Sequence, residues 1–468
     1  MSRRRIPNLD KRRKPYEGRR GSTRRSSVDT VREVAAWVVE RTLESRGPST
    51  VYLSRALDRC DRHDHGLLRE LALGTLRWLR RLDGVIEQAS HRPLRKIEPA
   101  LRVPLRVAVY QLLFLDRLPV HAIVNEAVEQ ARLQTHRGGA SFVNAVLRRI
   151  AKQRSLESWP VEEPDDLRRL AIEKSHPDLL VERWVKRYGL EQTRELLDAN
   201  NRPKPMQLLA FRDRGGRELL AERLIDEGFG VEPSRWSPVG LIVSEGNPLF
   251  SKCFEEGLFY IQDEASQAAA LIPPPRAGER VLDMAAAPGG KGFTLAAYEP
   301  SIRLVMADLS VPRLGTVRSN LKRLQREYPL LAGDARRPPF GDEAFDRIVL
   351  DLPCSGTGTL RKNPELKWRI DDEEIGRLSR QALRLLEGCA DRVVPGGRLV
   401  VITCSLEPEE NDEVVEAFLR QRSDFTRGLL EGQLEYPSDR RVDSVGKWQL
   451  LPDDHHDGFT VHVLERRA

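Results

Sequence analysis

Apolar residues change their spacing along this chain, and the change divides it. Val31, Val34, Ala35, Val38 and Val39 recur at helical intervals, as do Leu101, Leu105, Ala108, Val109, Leu112 and Leu113. Breaks at Gly47-Pro48, Arg92-Pro93 and Leu118-Pro119 punctuate this stretch, which predicts an all-helical unit over 28–152, its last helix near 141–150. A polar, acidic run with Pro160 and Pro164 reads as a linker over 153–166. Two helices are predicted between Leu167 and Asn200, one of them over 179–188. Strand-like runs at 206–211 and 240–243 then bracket an amphipathic helix at 219–227, a small α/β module over 167–255. From 256 to the C-terminus the pattern alternates short apolar runs with long amphipathic stretches. Strands are predicted at 280–283, 303–307, 330–332, 345–350 and 398–403, with helices at 311–327, 373–393 and 411–421. Such alternation is the signature of an α/β, doubly wound sheet, whose ligands sit beyond the carboxyl ends of the strands.

The unusual residues fall at those ends. The first strand runs into Asp283 and then the small-residue turn Ala285-Ala286-Ala287-Pro288-Gly289-Gly290-Lys291. Glycines there allow close backbone approach, and the N–H groups of the following helix face whatever lies above the strand. The second strand ends in Asp308, where a carboxylate can accept from two ribose hydroxyls, so an adenosine-type cofactor is expected. Asp334, Asp351, Cys354 and Cys404 end the remaining strands. If the last two strands are neighbours, both thiols open on one edge. A free cysteine is usually a small buried hydrophobe, but these two lie past the apolar runs, beside Pro, Ser and Gly. A thiolate nucleophile needs a lowered pKa, which a nearby Lys or helix start supplies.

Composition narrows the classes. The 468 residues are 40% hydrophobic and 31% charged, enough for several cores. No apolar run approaches the ~18 residues that span a bilayer, and the N-terminus lacks a signal-peptide core, so a cytoplasmic protein without a membrane partner is expected. The five cysteines form no CxxC pair and no metal-like spacing, and no metal is expected. Residues 1–25 hold eleven Lys/Arg against Asp10 and Glu17, leaving 66 basic and 68 acidic residues over 26–468, a net of −2. The basic balance therefore belongs to a tail, taken as disordered over 1–27, which suits either a polyanion or mere solubility.

A sheet that binds a cofactor and carries a nucleophilic thiol suits one demanding reaction, methylation of cytosine carbon 5. Thiolate addition at carbon 6 makes carbon 5 nucleophilic, an acid near ring nitrogen 3 assists, and a second group helps release. Cys404, Asp351 and Cys354 fit these roles. The motifs resemble those of the Sun/Nop-type family of RNA cytosine-5 methyltransferases, over nearly the whole chain after the tail. Ala286-Ala287-Pro288-Gly289-Gly290-Lys291 matches its cofactor loop, Pro353-Cys354 its Pro-Cys motif and Thr403-Cys404-Ser405 its Thr-Cys motif. Arg361-Lys362-Asn363-Pro364-Glu365-Leu366-Lys367-Trp368 resembles the loop that follows the Pro-Cys turn. Pro408-Glu409-Glu410-Asn411 resembles a helix start of the family, and on its own reads as capping.

The resemblance implies a C-terminal Rossmann-like class I domain using S-adenosyl-L-methionine, an all-α NusB-like RNA-binding domain before it, and an α+β RNA-binding module between. It implies Cys404 as covalent nucleophile, Cys354 as release helper, and cofactor contacts from 285–291, Asp308, Asp334 and Asp351. The implied partner is 16S ribosomal RNA, with another RNA such as tRNA as the alternative substrate, and a monomer is the default state. Three positions depart from the pattern: Ala285 replaces a usual Cys, Leu352 a usual Ala, and Thr460 a common aromatic. None removes a reacting group. A non-catalytic RNA-binding assembly factor is disfavoured because both thiols and Asp351 are kept. A nicotinamide oxidoreductase fails for want of G-x-G-x-x-G, and a phosphate-loop nucleotidase for want of the Walker spacing.

Overall fold

The computed structural model describes residues 30–45, 47–430, 442–443 and 446–468. The basic tail of residues 1–27 lies outside them. Seven α-helices build the first unit: α1 Val31–Ser45, α2 Ser49–Leu57, α3 His65–Arg77, α4 Leu79–Ser90, α5 Pro99–Phe114, α6 Val120–Gln134 and α7 Arg137–Ala151. They turn the periodic residues inward, so Val34, Val38, Val39, Leu71, Leu105 and Leu112 are fully buried in one apolar core. The predicted breaks are real: Pro48 and Pro119 precede the first residues of α2 and α6, where the fixed φ suits a helix entry. Segment 153–166, expected as a free linker, is pinned instead. Trp159 joins the helical core, its Nε1 donating to Gln153 O at 2.9 Å, and Arg81 donates to Leu156 O at 3.0 Å.

Three helices follow where two were expected: α8 Asp166–Glu173, α9 Asp178–Tyr188 and α10 Leu190–Asn201. Pro177 cannot continue the first helix, and Gly189 at φ 80° ends the second. The small sheet has four strands, β1 Gln207–Ala210, β2 Gly230–Pro233, β3 Gly240–Glu245 and β4 Phe259–Ile261, in the order β2-β3-β1-β4. α11 Gly216–Asp226 packs on it, and α12 Lys252–Glu255 precedes β4. A boundary at 255 would cut this sheet before its last strand.

α13 Glu264–Ala270 leads into the large sheet. Its strands are β5 Arg280–Met284, β6 Arg303–Asp308, β7 Leu330–Ala332, β8 Phe345–Asp351, β9 Val393–Thr403, β10 Phe425–Arg427, β11 Val442–Asp443, β12 Lys447–Leu450 and β13 Phe459–Arg466, interleaved with α14 Gly290–Tyr298, α15 Val311–Arg323, α16 Asp372–Ala390 and α17 Asp412–Gln421. The path is β11-β12-β13-β9-β8-β5-β6-β7, with β10 on β13. β5 to β9 are parallel, and β13 returns antiparallel against β9. Near-continuous apolar strands and two buried faces explain why the parallel part is legible. β5 pairs with both β6 and β8, the reversal in strand order that opens a crevice above a doubly wound sheet.

Candidate active site

Local chemistry shapes the first strand tip. Asp283 is fully buried at the end of β5, its Oδ2 accepting from Gly292 N at 2.8 Å while Oδ1 has no partner. Burial and the neighbouring Asp351 charge push its carboxyl up to about 7. The chain then turns through Ala285 in the left-handed region, φ 79°, with Ala285 N and Ala286 N both donating to Ala307 O. Gly289, at φ 117°, caps α14, and a Cβ there would lie 2.4 Å from the Phe293 ring. The first N–H groups of α14 lack intrahelical partners by geometry. This small-residue cradle, with an orphaned carboxylate oxygen at its base, fits an elongated polar cofactor.

Lys291 points from α14 into the crevice, donating to Ser266 Oγ at 2.9 Å and to Asp351 Oδ2 at 3.2 Å. Its ammonium also lies 4.6 Å from the centre of the Phe459 ring, a cation–π contact.

β8 and β9 are neighbours, Asp351 opposite Ile402, so the two thiols do open on one edge. Cys354 Sγ lies 3.5 Å from Cys404 Sγ. The contact splits their acidities. A hydrogen bond from Cys354 holds Cys404 below the usual thiol range, aided by Lys291 and opposed by burial and Asp351. The same bond and burial push Cys354 well up. Of the two, Cys404 is the more acidic thiol.

A carboxylate fixes both cysteine segments. Glu410, 1% exposed, accepts from Ser355 N at 2.8 Å and Ser355 Oγ at 2.6 Å, and from Ser405 Oγ at 2.5 Å. Asn411 donates to Ser405 O at 2.9 Å and Glu407 O at 2.8 Å, and pairs with Thr403 Oγ1. Read from sequence as capping residues, these two are instead a buried clamp between β8 and β9.

The cavity at these tips, about 210 Å³, brings together Ala286, Ala287, Pro288, Gly290, Lys291, Asp351 and Cys404. Ala285, Gly289 and Cys354 lie outside its lining. Asp308, 1% exposed, accepts from Ala287 N at 3.2 Å and Ser310 N at 2.9 Å and faces Arg313 at 3.4 Å. Asp334 lines a separate hollow, ion-paired to Arg336 at 2.6 Å. Sequence reasoning missed Gln262, Asp263, Ser266, Thr359, Asp457 and Phe459 on the cavity wall, which arrive from distant parts of the chain. A larger cavity of about 900 Å³ lies in the helical unit between α6 and α7, away from the thiols.

The loop over 359–369 joins the cleft to the helical unit. Thr359, Lys362 and Asn363 line the cavity. Behind them, Glu365 accepts from Ser49 N and Ser49 Oγ, both at 2.9 Å. Lys367 donates to Arg77 O and Trp368 Nε1 to Leu76 O, each at 2.7 Å. Burial, and then Arg77, press the Lys367 ammonium well below its ordinary value.

Comparison with known proteins agrees with this architecture domain by domain. Residues 270–465 match the 16S rRNA methyltransferase RsmB/F family, 23–152 the NusB family, and 176–249 the ferredoxin-like domain of RsmF/B-like methyltransferases. The probable ribosomal RNA small subunit methyltransferase B of Bacillus subtilis (strain 168) is 32% identical over 455 residues, 94% of this chain and 99% of the relative. Ribosomal RNA small subunit methyltransferase B of Escherichia coli O157:H7 (strain EC4115 / EHEC) is 33% identical over 441 residues, 93% and 99%. The crystal structure of PH0851 superposes with a TM-score of 0.76 at 27% identity, covering 94% of this chain and 99% of that one. The large sheet and its cleft are therefore those of a methyltransferase, carried with a NusB-type helical domain and a ferredoxin-like domain. The chain belongs to the 16S rRNA methyltransferase RsmB/F family.

Proposed function

We propose that the protein methylates carbon 5 of a cytosine in 16S ribosomal RNA, through a covalent bond between Cys404 and ring carbon 6. The observation that carries this reading is the thiol pair, 3.5 Å apart, with the Cys404 thiol made the more acidic by its hydrogen bond from Cys354 and by Lys291. When bound in the cradle of residues 285–291, S-adenosyl-L-methionine supplies an electrophilic methyl group; Asp308, Asp334 and Asp351 are the carboxylates proposed to help hold it.

Cys404 Sγ donates its electron pair to carbon 6, and the ring double bond shifts its electrons toward carbon 5. Asp351, held by Lys291, faces ring nitrogen 3, and a proton from solvent reaches that nitrogen beside it as charge builds there. Carbon 5 would thereby be able to accept the methyl group, the cofactor leaving as its thioether; loss of the carbon-5 proton to solvent base then returns the electrons of that bond to the ring double bond. The carbon–sulfur bond breaks with its electrons returning to Cys404, and Cys354, which keeps its proton, donates to the departing sulfur. A base buried in a duplex cannot reach this cleft, so a flipped or single-stranded cytosine is the substrate. The helical and ferredoxin-like domains hold the surrounding RNA, and the enzyme works in the cytosol as a monomer. Among the described residues no helix is long and apolar enough to cross a membrane.

Incubating the protein with methyl-labelled cofactor and unmodified small-subunit ribosomal RNA, then digesting to nucleosides, tests the product. Label in 5-methylcytidine alone is expected. Label in another nucleoside, or in none, overturns the reading.

A further inference from the structure

The cavity wall contains one acceptor that the proposed chemistry leaves unused. Asp457 is 2% exposed, lines the same cavity as Cys404, Asp351 and Phe459, and its Oδ1 has no partner. Its other oxygen accepts from Lys204 Nζ at 2.6 Å. Lys204 also pairs with Asp263, whose Oδ1 is already taken by Ala265 N at 2.9 Å and Ser266 N at 3.3 Å, and whose Oδ2 accepts from Asp457 N at 3.3 Å. One ammonium therefore serves two carboxylates. Against burial it holds Asp263 low, while burial and the Asp263 charge push Asp457 up. The loop is tied to the nucleophile: Gly458 N donates to Gly358 O at 2.7 Å, and Gly358 N to Cys404 O at 2.8 Å.

We propose that Asp457 selects cytosine over uracil, its Oδ1 accepting from the exocyclic amine on carbon 4 of the base that Cys404 attacks. The assignment rests on the cytosine reading above. An amine satisfies the buried oxygen, whereas the carbonyl of uracil would set lone pair against lone pair in a site shielded from water. Lys204 is the positioning residue, since it fixes which oxygen remains free. Neither group forms or breaks a bond in the reaction; their contribution is discrimination.

The test crosses the protein group with the base group. Methyl transfer by the full chain is measured on three RNAs that differ only at the target, bearing cytidine, uridine or the 4-deamino base pyrimidin-2-one. In Asp457→Asn, Lys204 takes the amide oxygen and the NH₂ faces the base, so kcat/KM for cytidine RNA should fall by about 10–100-fold. On pyrimidin-2-one RNA the loss should stay under about threefold, because no amine is there to lose. Uridine RNA should gain relative to cytidine. Asp457→Ser, which removes the carboxylate with little bulk, should repeat the base dependence, and melting curves register any loss of fold. Equal losses on cytidine and pyrimidin-2-one RNA in both variants would mean a merely structural aspartate and overturn the proposal. Wild-type inactivity on both cytidine and pyrimidin-2-one RNA would overturn the proposed function itself, an outcome recognisable before any variant is made.

Discussion

The helical domain and the methyltransferase cleft bury side chains for opposite ends. The helical core is almost wholly apolar, with few buried polar members. Gln111, 1% exposed, donates to Val107 O at 2.9 Å and accepts from Arg32 at 2.6 Å. The cleft instead buries the carboxylates of Asp283, Asp308, Glu410 and Asp457. Apolar burial stabilises roughly in proportion to area, whereas a buried carboxylate costs free energy unless every oxygen finds a donor. One region is built for stability, and the other holds charge ready for a ligand.

Truncating the first region should cost the most folding free energy and the least chemistry. Leu71→Ala in α3 should destabilise the domain by about 2–5 kcal/mol while leaving kcat unchanged below the melting transition. Denaturant melts set beside single-turnover rates check both halves. Asp283 offers the converse. Its folded pKa of about 7 exceeds the value near ~3.9 of an unfolded chain. The folded state therefore holds the proton more tightly, so this contribution is complete below pH ~4 and is lost as pH rises through about 7. Asp283→Asn should flatten that fall, worth up to about 4 kcal/mol, in melts recorded from pH 4 to 8.

Glu410→Gln sharpens the contrast by loosening the clamp without emptying it. The two cysteine segments lose a common charged acceptor, and kcat should drop about 100-fold with KM for RNA little changed. A Glu410→Gln enzyme with full kcat would return the residue to the capping role read from sequence. The smallest effect is expected at the seam between the regions. Trp368→Phe deprives Leu76 O of its donor, which should cost about 1 kcal/mol of stability. Because the same loop presents Lys362 and Asn363 to the cavity, transfer should also slow by several-fold, measured beside Leu71→Ala as the control that slows nothing.

Legibility in the sequence follows the same division. Val34, Val38 and Val39 announce their helix because period and burial coincide, and Asp283, Asp308 and Asp351 announce strand tips because an acid ends an apolar run. The two neighbouring thiols were readable for the same reason. Glu410 was not, since its partners Ser355 and Ser405 are chosen by strand pairing and no local spacing encodes them. Asp457 depends on Lys204, contributed by a different domain. β13 escaped because Thr460 and His462 interrupt its apolar run although both are buried.

The central claim is that Cys404 attacks the base and Cys354 frees it. Denaturing gels of Cys354→Ala and Cys404→Ala, each incubated with S-adenosyl-L-methionine and unmodified small-subunit ribosomal RNA, test it directly. The account predicts a slow-migrating protein–RNA band, sensitive to ribonuclease, for Cys354→Ala and none for Cys404→Ala, which should also transfer no methyl group. A Cys404→Ala enzyme that still turns over, or that traps RNA as Cys354→Ala does, would contradict it.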